Sequence, residues 1–346
     1  MAEKPFGIVV PKYKNVKGHL GEKVYKEISK INDNFELIYT NVVRFGDTSQ
    51  KVVTSSSVRR KEVYIIHPYY SDGDSHNMEA LRTADELKRS EAEKIYLFDL
   101  YNKNFRQDKR KERESLDARM IADAYEKLKI NRVFTFDAHS DQLQLAFSGG
   151  CPLEIIYMSE ELANFMEKIG DIDLKNCTIL SPDFGAYGRA EHMANLLGTP
   201  LVVFRKERLG EDKIKVDIIG DIKKYVENRD IIIRDDVCGT GSTLEQAKDV
   251  LKKYGTGKIY ACVSHLDMCK GGREEDIQKS KKKIRDSGIT VISTNTVPHD
   301  FSEEEEKYFK ILDISPFIAD IIDCHSRGES ISKYYKERRK KTNAFK

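Results

Sequence analysis

Ile231-Ile232-Ile233-Arg234-Asp235-Asp236-Val237-Cys238-Gly239-Thr240-Gly241-Ser242-Thr243-Leu244 is the stretch that decides the fold. Three consecutive isoleucines suit a strand covered on both faces. Beyond the loop, Leu244, Ala247, Leu251 and Tyr254 recur at helical spacing. The small residues in between let backbone N–H groups close around a phosphate at the positive end of a helix. Hydroxyls of Thr240, Ser242 and Thr243 add donors. Asp235 and Asp236, at the carboxyl end of the strand, can hold a sugar's hydroxyls or a magnesium ion. Strand, acids, loop and helix stand in the order a phosphosugar site needs, against the plainer reading of a strand–turn–helix with an acidic turn.

Outward from that unit, short apolar strands alternate with amphipathic helices. Strands are expected from Ile8 to Val10, Val63 to His67, Ile95 to Asp99 and Val133 to Asp137. A second series runs from Thr178 to Leu180, Leu201 to Phe204, Ile231 to Ile233, Ile259 to Ser264 and Thr290 to Ser293. Helices fit Met78 to Arg89, Leu116 to Lys129, Glu160 to Lys168, Ala190 to Leu197 and Leu244 to Tyr254. Such alternation predicts an α/β fold of parallel sheets with helices on both faces, and ligands beyond the carboxyl ends of the strands. Turn chemistry from Ser148 to Pro152 marks the expected boundary between two halves. No short-period repeat relates them.

The 346 residues allow about two domains, each able to bury its own core. Lysine and arginine number 59 against 57 acids, so net charge makes no case for nucleic-acid or membrane partners. The runs from Lys281 to Lys283 and Arg338 to Lys341 read as a solvated helix face and a frayed tail. No apolar run is long enough to span a bilayer, and no signal-peptide pattern opens the chain. Six scattered cysteines without a CxxC indicate neither a zinc site nor a disulfide framework, and Cys238 reads as a small filler. A reducing, cytoplasmic compartment is expected.

Three more strand ends carry polar loops. In Asn104-Phe105-Arg106-Gln107-Asp108-Lys109-Arg110-Lys111, the cations Arg106, Lys109 and Arg110 can clamp a polyphosphate while Gln107 and Asp108 fix a base or ribose. In Asp137-Ala138-His139-Ser140-Asp141-Gln142, a histidine flanked by acids can ligate a metal or polarise a phosphate. Ser181-Pro182-Asp183-Phe184-Gly185-Ala186-Tyr187-Gly188-Arg189 can cradle a pyrophosphate and a metal. Four such loops make coincidence a poor explanation.

In this order, these segments resemble the ribose-phosphate pyrophosphokinases, or phosphoribosyl pyrophosphate synthetases, from about Phe45 to Tyr334. The resemblance implies two tandem type I phosphoribosyltransferase-like domains, each a mostly parallel sheet flanked by helices. It puts an ATP-binding domain at residues 1–155, with 312–335 packing back on it. A ribose-phosphate-binding domain follows at 156–311, and a basic tail at 336–346. It implies Phe45 stacked on adenine, Asp47 reading its amino group, and Arg106, Gln107, Asp108 and Lys109 also binding ATP. His139, Asp137 and Asp183 would hold Mg2+ on the phosphates, with a second ion near Asp235 and Asp236. Lys206 and Arg208, in Phe204-Arg205-Lys206-Glu207-Arg208, match the base of a mobile catalytic loop, and with His139 form the catalytic set. Asp235, Asp236, Gly239, Thr240, Gly241, Ser242 and Thr243 would take ribose 5-phosphate. The implied reaction passes the pyrophosphoryl group of Mg-ATP to the anomeric hydroxyl of ribose 5-phosphate, in a cytoplasmic homo-oligomer.

The chain departs from the family pattern at several points. Gly239 stands where an acid is usual, which removes a ribose ligand and loosens the loop. Lys109 replaces an arginine, trading a planar fork for a point charge. Ser49 stands where Glu is usual, and Glu154 where Asp is usual. The room at Gly239 leaves open an acceptor such as ADP-ribose, and relatives that are catalytically weak regulatory subunits leave open that role too.

Overall fold

Apolar runs flanked by turn residues make strands here, and each half assembles them in the same order. The computed structural model describes residues 4–12, 19–70, 72–208, 214–269 and 272–335, so the run from Arg338 to Lys341 and the expected tail lie outside them. Two compact units result: one reaches Ile156 and regains the chain from Asp313, and the other is Tyr157–Leu312.

The first unit contains β1 (Phe6–Lys12), α1 (Leu20–Ile28), β2 (Phe35–Arg44), β3 (Gln50–Thr54), β4 (Glu62–His67) and α2 (Gly73–Arg89). It continues with β5 (Lys94–Asp99), α3 (Asp117–Lys127), β6 (Arg132–Phe136) and β7 (Leu153–Ile156). Strand order is β3-β2-β1-β4-β5-β6-β7, parallel except for the β2–β3 hairpin. The stretch from Ser148 to Pro152 leads into β7, so the change of unit comes after Ile156. In α2, Asp72 caps Ser75 N at 2.9 Å, and His76, Asn77, Ala80, Thr83, Ala84 and Leu87 form the buried stripe.

The second unit contains α4 (Ser159–Ile169), β8 (Cys177–Ser181), α5 (Tyr187–Leu197), β9 (Leu201–Arg208), β10 (Ile214–Ile219) and α6 (Ile222–Tyr225). Then come β11 (Asp230–Cys238), α7 (Ser242–Lys252), β12 (Ile259–Leu266), α8 (Glu274–Ser287), β13 (Thr290–Thr294) and β14 (Phe309–Leu312). Its order, β10-β9-β8-β11-β12-β13-β14, repeats that of the first sheet, again with one antiparallel pair at the β9–β10 edge. The halves thus share an architecture that their residues do not display.

Two strands are longer than expected. β11 passes Ile233 because its ladder with β12 runs on from Ile231↔Ile259 to Cys238↔Leu266, which draws both aspartates into the strand. β9 passes Phe204 because β10 pairs with it. α9 (Ser315–Ser326) belongs to the first unit and packs on α1, where Lys23 meets Asp313 at 2.9 Å and Asn32 donates to Asp323 at 2.8 Å. No helix among the described residues is long and apolar enough to cross a membrane.

Candidate active site

At the end of β11, Asp235 and Asp236 stand side by side. Burial first, and then the Asp236 charge, push the Asp235 carboxyl up to about 7. Arg189, from α5, reaches Asp235 Oδ1 at 3.4 Å and Asp236 Oδ1 at 3.5 Å. One guanidinium therefore faces two carboxylates. A hard divalent cation takes carboxylate oxygens of this kind, so the residues fit magnesium. Arg234, fully buried on the same strand, donates to the carbonyl of Asp235 and to Ser264 Oγ at 3.2 Å, which stiffens the strand where it delivers the acids.

The loop that follows turns on Gly241, which adopts φ +80° just before α7. A Cβ there would come within 2.9 Å of Ile284 Cγ1, so conformation and space both require glycine. Thr240 Oγ1 and Ser242 Oγ share a hydrogen bond of 2.9 Å, and Thr243 opens the first turn of α7 beside them. A Cβ at Gly239 would meet nothing within 4 Å. Cys238 is buried and its thiol is pushed up to about 12 by that burial, as befits a filler.

Lys281 corrects an expectation. It is no part of a solvated face, being 6 % exposed and donating to Asp300 O at 2.8 Å, whereas Lys282 is exposed and Lys283 partly so. Lys283 donates to Ser242 Oγ at 3.0 Å and pairs with Glu245 at 2.9 Å. Their partners lie far along the chain, so a local run of like charge gave no signal of them.

The other residues singled out in the sequence divide between the units. Asp183 follows β8, where its Oδ1 accepts from Ala186 N at 3.0 Å in the turn that leads into α5. Lys206 and Arg208 lie in β9 opposite Val216 and Ile214, and their side chains lie outside the described residues. In the first unit, Asp137 is buried after β6 with φ +35°, and His139 is exposed two residues on. Among the described residues no three His, Cys, Asp or Glu side chains gather closely enough to hold a metal by themselves. Magnesium typically takes one or two carboxylates together with substrate phosphates and water.

Phe45 and Asp47 form the tip of the β2–β3 hairpin. Phe45 is 45 % exposed with Lys51 Nζ 5.5 Å from its ring centre. Ser49 donates to Asp47 Oδ1 through Oγ at 2.7 Å and N at 3.0 Å, which holds that carboxyl below its usual range. Ser49 thus fixes the neighbouring aspartate.

Arg106 ends a short 3-10 helix, Lys103–Arg106, after β5, with Gln107, Asp108 and Lys109 beyond it. Phe105 anchors that turn edge-on to Phe147 at 5.7 Å. Below it lies a polar cluster that the sequence did not announce. Asp99 accepts from His76 Nε2 at 2.7 Å, Asn102 Nδ2 at 2.8 Å and Tyr125 OH at 2.9 Å, all buried. Burial alone would raise the Asp99 carboxyl, but His76 and its other donors outweigh it and hold it low. Asn102 also caps Asn104 N at 3.1 Å, so the cluster fixes where the turn begins.

A family model described as the N-terminal domain of ribose phosphate pyrophosphokinase matches residues 13–128, and one for the phosphoribosyl transferase domain matches 159–302. A ribose-phosphate pyrophosphokinase of Helicobacter hepaticus is 31% identical over 312 residues, covering 89% of this chain and 94% of that protein. Another, of Campylobacter jejuni, is 30% identical over 328 residues, covering 93% and 99%. The crystal structure of phosphoribosylpyrophosphate synthetase from Mycobacterium smegmatis has the same fold, with TM-score 0.78 at 24% identity over 93% of this chain and 99% of that one. With two seven-stranded sheets of one topology and this similarity along nearly its whole length, the chain belongs to the ribose-phosphate pyrophosphokinase family.

Proposed function

We propose that this chain transfers the pyrophosphoryl group of ATP to the anomeric hydroxyl of ribose 5-phosphate, giving phosphoribosyl pyrophosphate and AMP. The observation that carries the reading is the end of β11, where two carboxylates shared by Arg189 run directly into the Thr240–Gly241–Ser242 turn. Asp235 and Asp236 accept from the sugar hydroxyls. Thr240, Gly241, Ser242 and Thr243 receive the 5-phosphate through backbone and hydroxyl donors at the positive end of α7.

Phe45, Asp47, Arg106, Gln107, Asp108 and Lys109 bind ATP, the cations taking its phosphates. The hydroxyl oxygen bonds to the β-phosphorus as the bond to the α–β bridging oxygen breaks. AMP leaves with that oxygen, and the hydroxyl proton is released. Magnesium, the proposed cofactor, supplies charge neutralisation at the phosphates when bound. Asp137, His139 and Asp183 are its proposed partners there, and Asp235 and Asp236 at the sugar. His139, Lys206 and Arg208 stabilise the charge that shifts during transfer, where positioning and electrostatics do most of the work.

A cytoplasmic homo-oligomer completes the reading. Exposed Met120 and Leu145 offer apolar surface of the kind assembly covers. The test is release of AMP from Mg-ATP in the presence of ribose 5-phosphate, with the product mass determined. A sugar phosphate that gains a pyrophosphoryl group supports the proposal. No AMP from folded protein that binds ATP, or release with ADP-ribose alone, overturns it.

A further inference from the structure

Helix α8 touches the phosphate loop at two consecutive residues. Ile284, 1 % exposed, fills the space against Gly241 and so fixes the left-handed turn. Lys283 places its ammonium 3.0 Å from Ser242 Oγ, the oxygen already hydrogen-bonded to Thr240 Oγ1. The same ammonium pairs at 2.9 Å with Glu245, in the first turn of α7. Lys283 is 35 % exposed and Glu245 53 %, so water screens the pair and the lysine can exchange that carboxylate for a better anion.

We infer that Lys283 is a further binding residue for the acceptor, supplying a cation to its 5-phosphate, and that Glu245 competes for that cation while the loop is empty. This rests on the reading of the loop as the ribose-phosphate site. A phosphate that accepts from Ser242 Oγ and the neighbouring N–H groups comes within reach of an ammonium bonded to that same oxygen. Charge points the same way: with Lys283 absent, Glu245 would set an uncompensated negative charge beside a phosphate dianion. A lysine that only ties α8 to α7 has no need to bond the loop hydroxyl as well.

The two partners have opposite predicted signs, which a strut between helices does not. In the full chain, Lys283→Met raises KM for ribose 5-phosphate about tenfold and leaves KM for ATP unchanged. Lys283→Arg retains most of the affinity, and Glu245→Gln lowers KM for ribose 5-phosphate by removing the competitor. Calorimetric binding of ribose 5-phosphate to the same proteins reads the effect without turnover. The inference is overturned if Lys283→Met leaves affinity unchanged, or if both substitutions weaken it. Absence of turnover by the unaltered protein overturns the assigned reaction alone, since binding still tests Lys283. Absence of both turnover and binding overturns both.

Discussion

Replacing Tyr125 by Phe tests whether a buried cluster sets the loop proposed to bind ATP. The hydroxyl makes a 2.9 Å bond to Asp99, and both residues are fully buried. Removing one neutral donor from a buried carboxylate costs about 2 kcal/mol, within the usual range for bonds to charged groups. Loss of a single oxygen leaves no cavity of consequence. For a domain of this size that corresponds to a fall in Tm of roughly 4–8 °C. The loss is not spread evenly. Asp99 also anchors Asn102, which caps Asn104 at the start of the turn bearing Arg106, Gln107 and Asp108. If about half the loss reaches that turn, KM for ATP rises about fivefold. KM for ribose 5-phosphate stays put, because the residues proposed to bind it lie on the other unit. Thermal unfolding and steady-state kinetics measure both effects. A variant with unchanged Tm and unchanged KM for ATP refutes the reasoning, and equal rises in both KM values would show general damage instead of positioning.

Four further outcomes are expected. Gly241→Ala must give up φ +80° or displace Ile284, at a backbone cost of about 1–2 kcal/mol, so KM for ribose 5-phosphate rises about tenfold while that for ATP does not. Gly239→Asp adds a Cβ that meets nothing within 4 Å and leaves Tm unchanged, while the added carboxylate lowers KM for ribose 5-phosphate; a rise refutes it. Lys206→Ala and Arg208→Ala lower kcat far more than they weaken ATP binding, whereas a rise in KM for ATP alone contradicts their assigned role. Burial lowers His67 to about 3 and His19 and His325 to about 4, from 6.5. The unfolded chain therefore takes up those protons first, and stability drains as pH falls from 6.5 towards 4, at about 1.4 kcal/mol per pH unit for each histidine. Asp235, raised by burial and Asp236, works in the opposite sense and offsets one of the three. A Tm that rises from pH 7 to pH 5 contradicts this balance.

The strand–loop–helix of β11 and α7 was legible because its signals are local: an apolar run, small residues and a helical stripe within one short stretch. Gly241 shows the limit of that legibility. Sequence identifies a glycine suited to a turn, but only the structure brings Ile284 against it from forty-three positions away. The same distance hid Lys283, whose run of like charge reads as solvated until the helix that carries it is set beside α7. β10 escaped notice for a related reason, since an edge strand is defined by its pairing with β9 more than by its own composition. The Asp99 cluster is the clearest case. His76, Asp99, Asn102 and Tyr125 are dispersed along the chain, and each alone reads as surface or as an ordinary strand end. Burying such groups costs stability unless every partner is in place, so a cluster beneath the turn proposed to bind ATP serves position more than stability. The same dependence on position holds at two sites nearer the surface: Ser49 secures Asp47 at the tip of the β2–β3 hairpin, and a Cβ at Gly239 would meet nothing within 4 Å.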